Sequence, residues 1–212
     1  MSGLNPENKC VQLVVEAARV QYDKDALNIM MNMQYELQKF YAKKRGSITP
    51  DHTNKDRIKE ALYHFNCYVA EIWELQERIN NGIKSEEDCI ELKFEAIDAW
   101  HFFMNMFLYL GIRKFDEDLD FYWTSVGEPS DYRLTLNCIV TEWGHVLDEL
   151  PYKYWKTYEN YDFNAKRVEK LMESMLCSFI SLCKFVKITK EEFYSYYIAK
   201  NRENYDRQKR GY

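Results

Sequence analysis

Two short acidic segments carry the chemistry open to this sequence. Glu71 and Glu74 stand three residues apart, and so do Glu95 and Asp98. On a helix, that spacing puts both carboxylates of a pair on one face, about one turn apart. If the two turns lie on neighbouring helices, four carboxylates meet. Four unpaired carboxylates repel one another, so the arrangement calls for a cation among them. Oxygen ligands select a hard ion: Mg²⁺ is the expected occupant and Mn²⁺ a substitute. Such an ion commonly serves phosphate chemistry.

The surroundings separate these carboxylates from an ordinary solvated face. Glu95 and Asp98 are embedded among Leu92, Phe94, Ala96, Ile97, Ala99, Trp100 and Phe102, and few lysines or arginines lie near them in sequence. A carboxylate pair in so apolar a helix is expected to be partly buried and in need of a cationic partner. Glu77, Glu86, Glu87 and Glu91 fit a solvated face instead. His101 follows Asp98 as D-x-x-H, and Glu142 with His145 makes an E-x-x-H turn. A carboxylate-bridged di-iron set therefore stays open. Phe102 and Asn105 continue the Asp98 face, where a ring can stack on a base and an amide can read its edge. Plain core packing is the other reading of Phe102. Lys200, Asn201, Asn204, Arg207 and Gln208 recur at helical spacing near the C-terminus. That row of donors suits phosphate oxygens, or else is a frayed basic helix end.

The elements that must hold these residues are helical. The chain has 212 residues with only 7 Gly and 4 Pro, so turns are few and elements long. Apolar periodicity predicts helices over about 6–22, 25–44, 55–79, 85–110, 116–125, 133–150, 162–185 and 189–210. Ser85 reads as an N-cap, and Thr189 with Glu192 as a capping box. Residues 69–75 and 140–146 echo each other, as do 92–112 and 168–188. In the second copy Leu171 stands for Glu95 and Ser174 for Asp98. A duplicated helical hairpin and chance likeness between amphipathic helices both account for this.

Composition excludes several classes. A formal charge of −5 argues against stable nucleic-acid binding. The 6 cysteines form no CxxC pair and read as reduced. The richest apolar run, 99–112, is interrupted by His101 and Asn105 and is too short to span a bilayer. The start of the chain has no apolar leader, so the expected place is the cytoplasm.

Together the pieces resemble a known family. Glu71-x-x-Glu74, Glu95-x-x-Asp98 followed by Ala-Trp-His-Phe, and the ending Lys-Asn-x-x-Asn-x-x-Arg-Gln-x-x-Gly-Tyr are similar to the dimeric, all-α dUTPases. Those sit with the MazG-like nucleotide pyrophosphohydrolases. The likeness is strongest to the branch of T-even bacteriophage dCTP/dUTP pyrophosphatases. Residues 33–38, with Gln34, resemble that family's first motif. The resemblance implies one all-α, multi-helix bundle domain over 1–212. Its catalytic helices would span about 25–112, a helical insertion 113–188, and a phosphate-binding helix 189–212.

It implies Mg²⁺-dependent hydrolysis of dUTP, dCTP or both to the monophosphate and pyrophosphate. The host cytoplasm would be the setting if the protein is phage-encoded. Glu71, Glu74, Glu95 and Asp98 would bind metal, and Gln34 and Phe102 would seat the base. Lys200, Asn201, Asn204 and Arg207 would grip phosphates, and Tyr212 would close over the site. Asn105 joins the base-binding set from helix geometry. The expected partners are a deoxynucleoside triphosphate and a second copy of the chain in a homodimer. The alternatives are a MazG-like enzyme for other or modified nucleotides and a non-catalytic helical scaffold.

Overall fold

A computed structural model describes residues 5–52, 54–153, 156–158 and 160–211. Among them the protein is all-α, with eight helices. They are α1 (Lys9–Ala17), α2 (Ala26–Arg45), α3 (Asn54–Asn81), α4 (Glu86–Tyr109), α5 (Leu119–Ser125), α6 (Tyr132–Glu149), α7 (Ala165–Phe185) and α8 (Lys190–Lys209).

Side-chain caps explain where the helices start. Ser85 Oγ accepts from the Asp88 amide and opens α4. Thr189 and Glu192 form the expected reciprocal box at the head of α8. Three helices begin later than periodicity alone predicts. Asn8, Asp118 and Asn164 turn out to be N-caps of α1, α5 and α7, each accepting from a backbone N–H just inside its helix. A capping residue is non-helical by definition, so the segments before them stay outside. Helix α2 ends at Gly46, whose φ of 63° is the left-handed conformation that glycine adopts without strain.

Helix α4 is the centre of the molecule. From Ala96 to Leu110 nearly every side chain is buried, on all sides of the helix. A helix apolar all round must be surrounded, and α1, α2, α3, α7 and α8 all pack on it. Trp100 and Phe103 stack on Phe179 of α7 at 5.6 and 5.7 Å, and Phe193 of α8 lies 5.1 Å from Trp100. The carboxylates of α4 are thus carried by the best-packed element of the fold.

Two hairpins stand out. The α3–α4 hairpin carries both acidic turns, and α6–α7 is its counterpart in the echo. Glu142 Oε1 accepts from Ser174 Oγ at 3.0 Å. These are the residues that the echo equates with Glu71 and Asp98. All six cysteines are free, and no described helix is long and apolar enough to cross a membrane.

Candidate active site

Four helices enclose a cavity of about 530 Å³. Helix α2 contributes Gln34, Gln38, Tyr41 and Arg45, a stripe at helical spacing. Helix α3 supplies Glu60, His64 and Glu71, and α4 supplies Asp98, His101, Phe102, Asn105 and Tyr109. Helix α8 brings Lys200, Asn204 and Arg207.

Glu71 and Asp98 bring acid to this cavity, while Glu74 and Glu95 do not line it and gather beside Glu71. Oxygen atoms of Glu71, Glu74 and Glu95 all come within 4.8 Å of one another, with Glu74 exposed and the other two half-buried. Asp98 stands beside this triad rather than in it, and Lys200 Nζ donates to its Oδ2 at 2.6 Å. Glu95 also has a cation: Arg78 lies 2.9 Å from its Oε1 and 2.8 Å from Glu91. The cationic partners that these buried acids need thus come from elsewhere in the chain, Arg78 from α3 and Lys200 from α8. Arg78 follows Glu74 by one turn of α3, and that turn directs it towards α4.

The electrostatics reflect crowding. Burial, then the negative charges of Asp98, Glu74 and Glu95, push the Glu71 carboxyl up to about 7. Burial also raises Glu95, with Arg78 opposing it. Burial raises Asp98 even against Lys200. Three converging carboxylates, all oxygen donors, are a set that a hard divalent cation fits.

The middle of the cavity is an amide and imidazole network. Gln34 Nε2 donates to Asn105 Oδ1 at 2.7 Å, and Gln34 Oε1 lies 2.8 Å from His101 Nδ1. Asn105 Nδ2 lies 3.3 Å from His64 Nδ1. Tyr197 Oη, bonded to Gln34 Oε1 at 3.0 Å, accepts from Asn201 Nδ2 at 2.9 Å. Phe102 is half-buried at the wall, its ring 6.0 Å from that of His64 and tilted against it.

Two residues of the expected donor row, Asn201 and Gln208, are buried and do not line this cavity. Asn201 does not join the cationic row: it is 4% exposed and turned toward α2. Its neighbour Lys200 faces α4, and one residue along a helix is a rotation of about 100°. Lys200, Asn204 and Arg207 do line the cavity together. Arg207 is also paired with Glu203 at 3.1 Å. Tyr212 lies outside the described residues.

The di-iron alternative loses its second half, since His145 is exposed on α6 and Glu142 is bonded to Ser174. Among the described residues, Glu71, Glu74 and Glu95 form the one group of three or more potential metal ligands.

Sequence reading missed His64, Glu60, Arg45 and Tyr41. The signal for His64 was its place two turns before Glu71 on the same face. That for Tyr41 and Arg45 was their alignment with Gln34 along α2.

Residues 160–212 match the family model of dUTPase, about a quarter of the chain. The match supports a dUTPase-like family. It points to a nucleotide-hydrolysing enzyme, and it covers α7 and α8, including Lys200, Asn204 and Arg207 but none of the carboxylates. No curated protein matches the chain, and neither does any solved structure.

Proposed function

We propose that the protein is a Mg²⁺-dependent pyrophosphatase that hydrolyses dUTP, dCTP or both to the nucleoside monophosphate and pyrophosphate. One observation carries this reading: Glu71 and Asp98 share a cavity with Lys200, Arg45 and Arg207 and with a buried amide wall. Acids for a cation, cations for phosphates and amides for a base are the three parts such a substrate needs. The dUTPase match over 160–212 supports it from the sequence side.

Glu71, Glu74 and Glu95 would hold the cation, with Asp98 joining when Lys200 moves to a phosphate oxygen. Bound Mg²⁺ would neutralise phosphate charge and lower the pKa of a coordinated water. Lys200, Asn204 and Arg207 would hold the phosphates through charge-assisted hydrogen bonds, and Arg45 is placed to help. Glu71 or Glu74 would orient the attacking water and take its proton on a carboxylate oxygen. Phe102 would stack on the base, while Gln34 and Asn105 would fix its seat. Tyr212 would close over the bound substrate. No covalent enzyme intermediate is required.

A homodimer belongs to the same reading. Trp73 is 61% exposed, and with Val69 and Val140 it lines an apolar groove between α3 and α6. A second copy covering this face would bury it beside the acidic turn of α3. A phage-encoded enzyme that adjusts the pyrimidine deoxynucleotide pool is the setting the resemblance implies.

The test is incubation with each common dNTP and Mg²⁺, with products separated by chromatography. Monophosphate and pyrophosphate are expected from dUTP, dCTP or both. Release of orthophosphate, or no turnover of any dNTP, rejects the reading.

A further inference from the structure

The imidazoles of His101 and His64 line one cavity and are wired together through two amides. Burial holds both rings neutral at pH 7, His64 down to about 4 and His101 to about 3. A neutral imidazole carries one proton, so the role of its inner nitrogen fixes that of the outer one. With Gln34 donating to Asn105, His101 donates from Nδ1 and its outer Nε2 is an acceptor. Asn105 then donates to His64 Nδ1, which leaves the outer His64 nitrogen carrying hydrogen.

The chain of bonds can run the other way. Turning both amides over exchanges O for NH₂ with almost no change in shape. Asn105 then donates to Gln34, Gln34 to His101, and His64 to Asn105. Every link between the two rings and the two amides survives, Asn201 Nδ2 gives up its 3.5 Å contact with Gln34 and keeps its bond to Tyr197 Oη, and the two outer nitrogens trade roles.

The far end tolerates the reversal. Tyr197 Oη lies 3.0 Å from both Gln34 Oε1 and the Met30 carbonyl, and its single hydrogen can serve either. The Met30 carbonyl lies inside α2, where the helix ladder provides its own donor from Gln34. His101 Nε2 is buried with no partner among the described residues, as expected of a group that a ligand completes.

We propose that this reversible relay lets one cavity read two bases of opposite hydrogen-bonding polarity, uracil and cytosine. Uracil presents N3–H beside O4, a donor next to an acceptor. Cytosine presents N3 beside its 4-amino group, the reverse. His101 and His64 offer one acceptor and one donor in either state and swap them together. The inference rests on the pyrimidine triphosphate reading above. A wall of fixed polarity would reject the mismatched base by about 10⁴-fold or more, because buried polar groups would be left unpaired.

The test uses the full chain labelled with ¹⁵N-histidine and saturated with Mg²⁺ and either α,β-imido-dUTP or α,β-imido-dCTP. Long-range ¹H–¹⁵N correlations identify the protonated nitrogen of each ring. Both rings are expected to switch nitrogen between the two complexes. In parallel, kcat/KM for dUTP and dCTP should agree within about 10³-fold, well inside the discrimination of a fixed wall. The same tautomers in both complexes, or a larger ratio, overturns the relay. A tautomer switch without hydrolysis of either triphosphate would sink the pyrophosphatase reading and leave the relay standing. Binding of neither analogue would sink both.

Discussion

Lys200 of α8 donates to Asp98 of α4 across 2.6 Å, joining the helix that offers cations to the helix that offers acids. This ion pair occupies Lys200 and Asp98 with each other inside the cavity. A bound triphosphate would compete for Lys200 and release Asp98. Asp98→Asn should therefore lower turnover by about 100-fold or more while leaving the fold intact, as loss of a charge used in the transition state does. Pyrophosphate release and a thermal melt on the same sample check this. Unchanged turnover would show that Asp98 is only a packing residue.

The crowded acids predict that a cation stabilises the protein. Mg²⁺ should raise the melting temperature by a few degrees, since a ligand bound only by the folded state adds stability by mass action. Changing Glu71, Glu74 and Glu95 together to Gln should abolish that response and, by relieving repulsion, leave the metal-free protein no less stable. Chelation with EDTA should stop turnover. A melting curve blind to Mg²⁺ would mean that the triad holds no ion.

The buried histidines set a pH dependence with a definite sign. His64 and His101 have folded-state values of about 4 and about 3, below the ordinary 6.5. The folded state resists their protonation, so their stabilising contribution is complete above about pH 6.5 and falls as pH drops below it. Each contributes up to about 1.4 kcal/mol per pH unit in that window. Glu71, Glu95 and Asp98 are shifted upward and act in the opposite sense. The comparison is therefore wild type against His101→Gln and His64→Gln, in urea at pH 7.5 and pH 5. The variants should lose less stability on acidification than the wild type; equal losses would contradict the assignment.

The exposed apolar groove predicts association. Trp73→Glu, beside Val69 and Val140, should convert the proposed dimer to a monomer by light scattering. A monomeric wild type would contradict the dimer directly.

The sequence made most of the fold legible, because long helices write their apolar faces at a fixed period. Even two cap sites, Ser85 and Thr189, were readable from residue type and spacing. The helix starts near Asn8, Asp118 and Asn164 were not, since a capping residue and a first-turn residue look alike until the backbone is seen. For the site, the i, i+3 spacing of Glu71 with Glu74 and of Glu95 with Asp98 was enough to suggest convergence. What it could not supply was pairing across the chain. Asp98 meets Lys200 from 102 residues away, and Gln34 meets Asn105 from 71. The placement of Asn201 was not legible for a related reason: membership of a polar row depends on which helix lies opposite, and periodicity is silent on that.

Helix α4 is at once the most enclosed part of the molecule and the bearer of Glu95, Asp98, His101 and Asn105. The working groups therefore have no hinge or loose tether of their own. Heat should erase catalytic competence and global order at the same temperature, with no interval in which the chain stays folded but inert. Evolution toward a colder habitat would have to soften the neighbours of this helix, because the helix itself cannot be loosened without dissolving the whole.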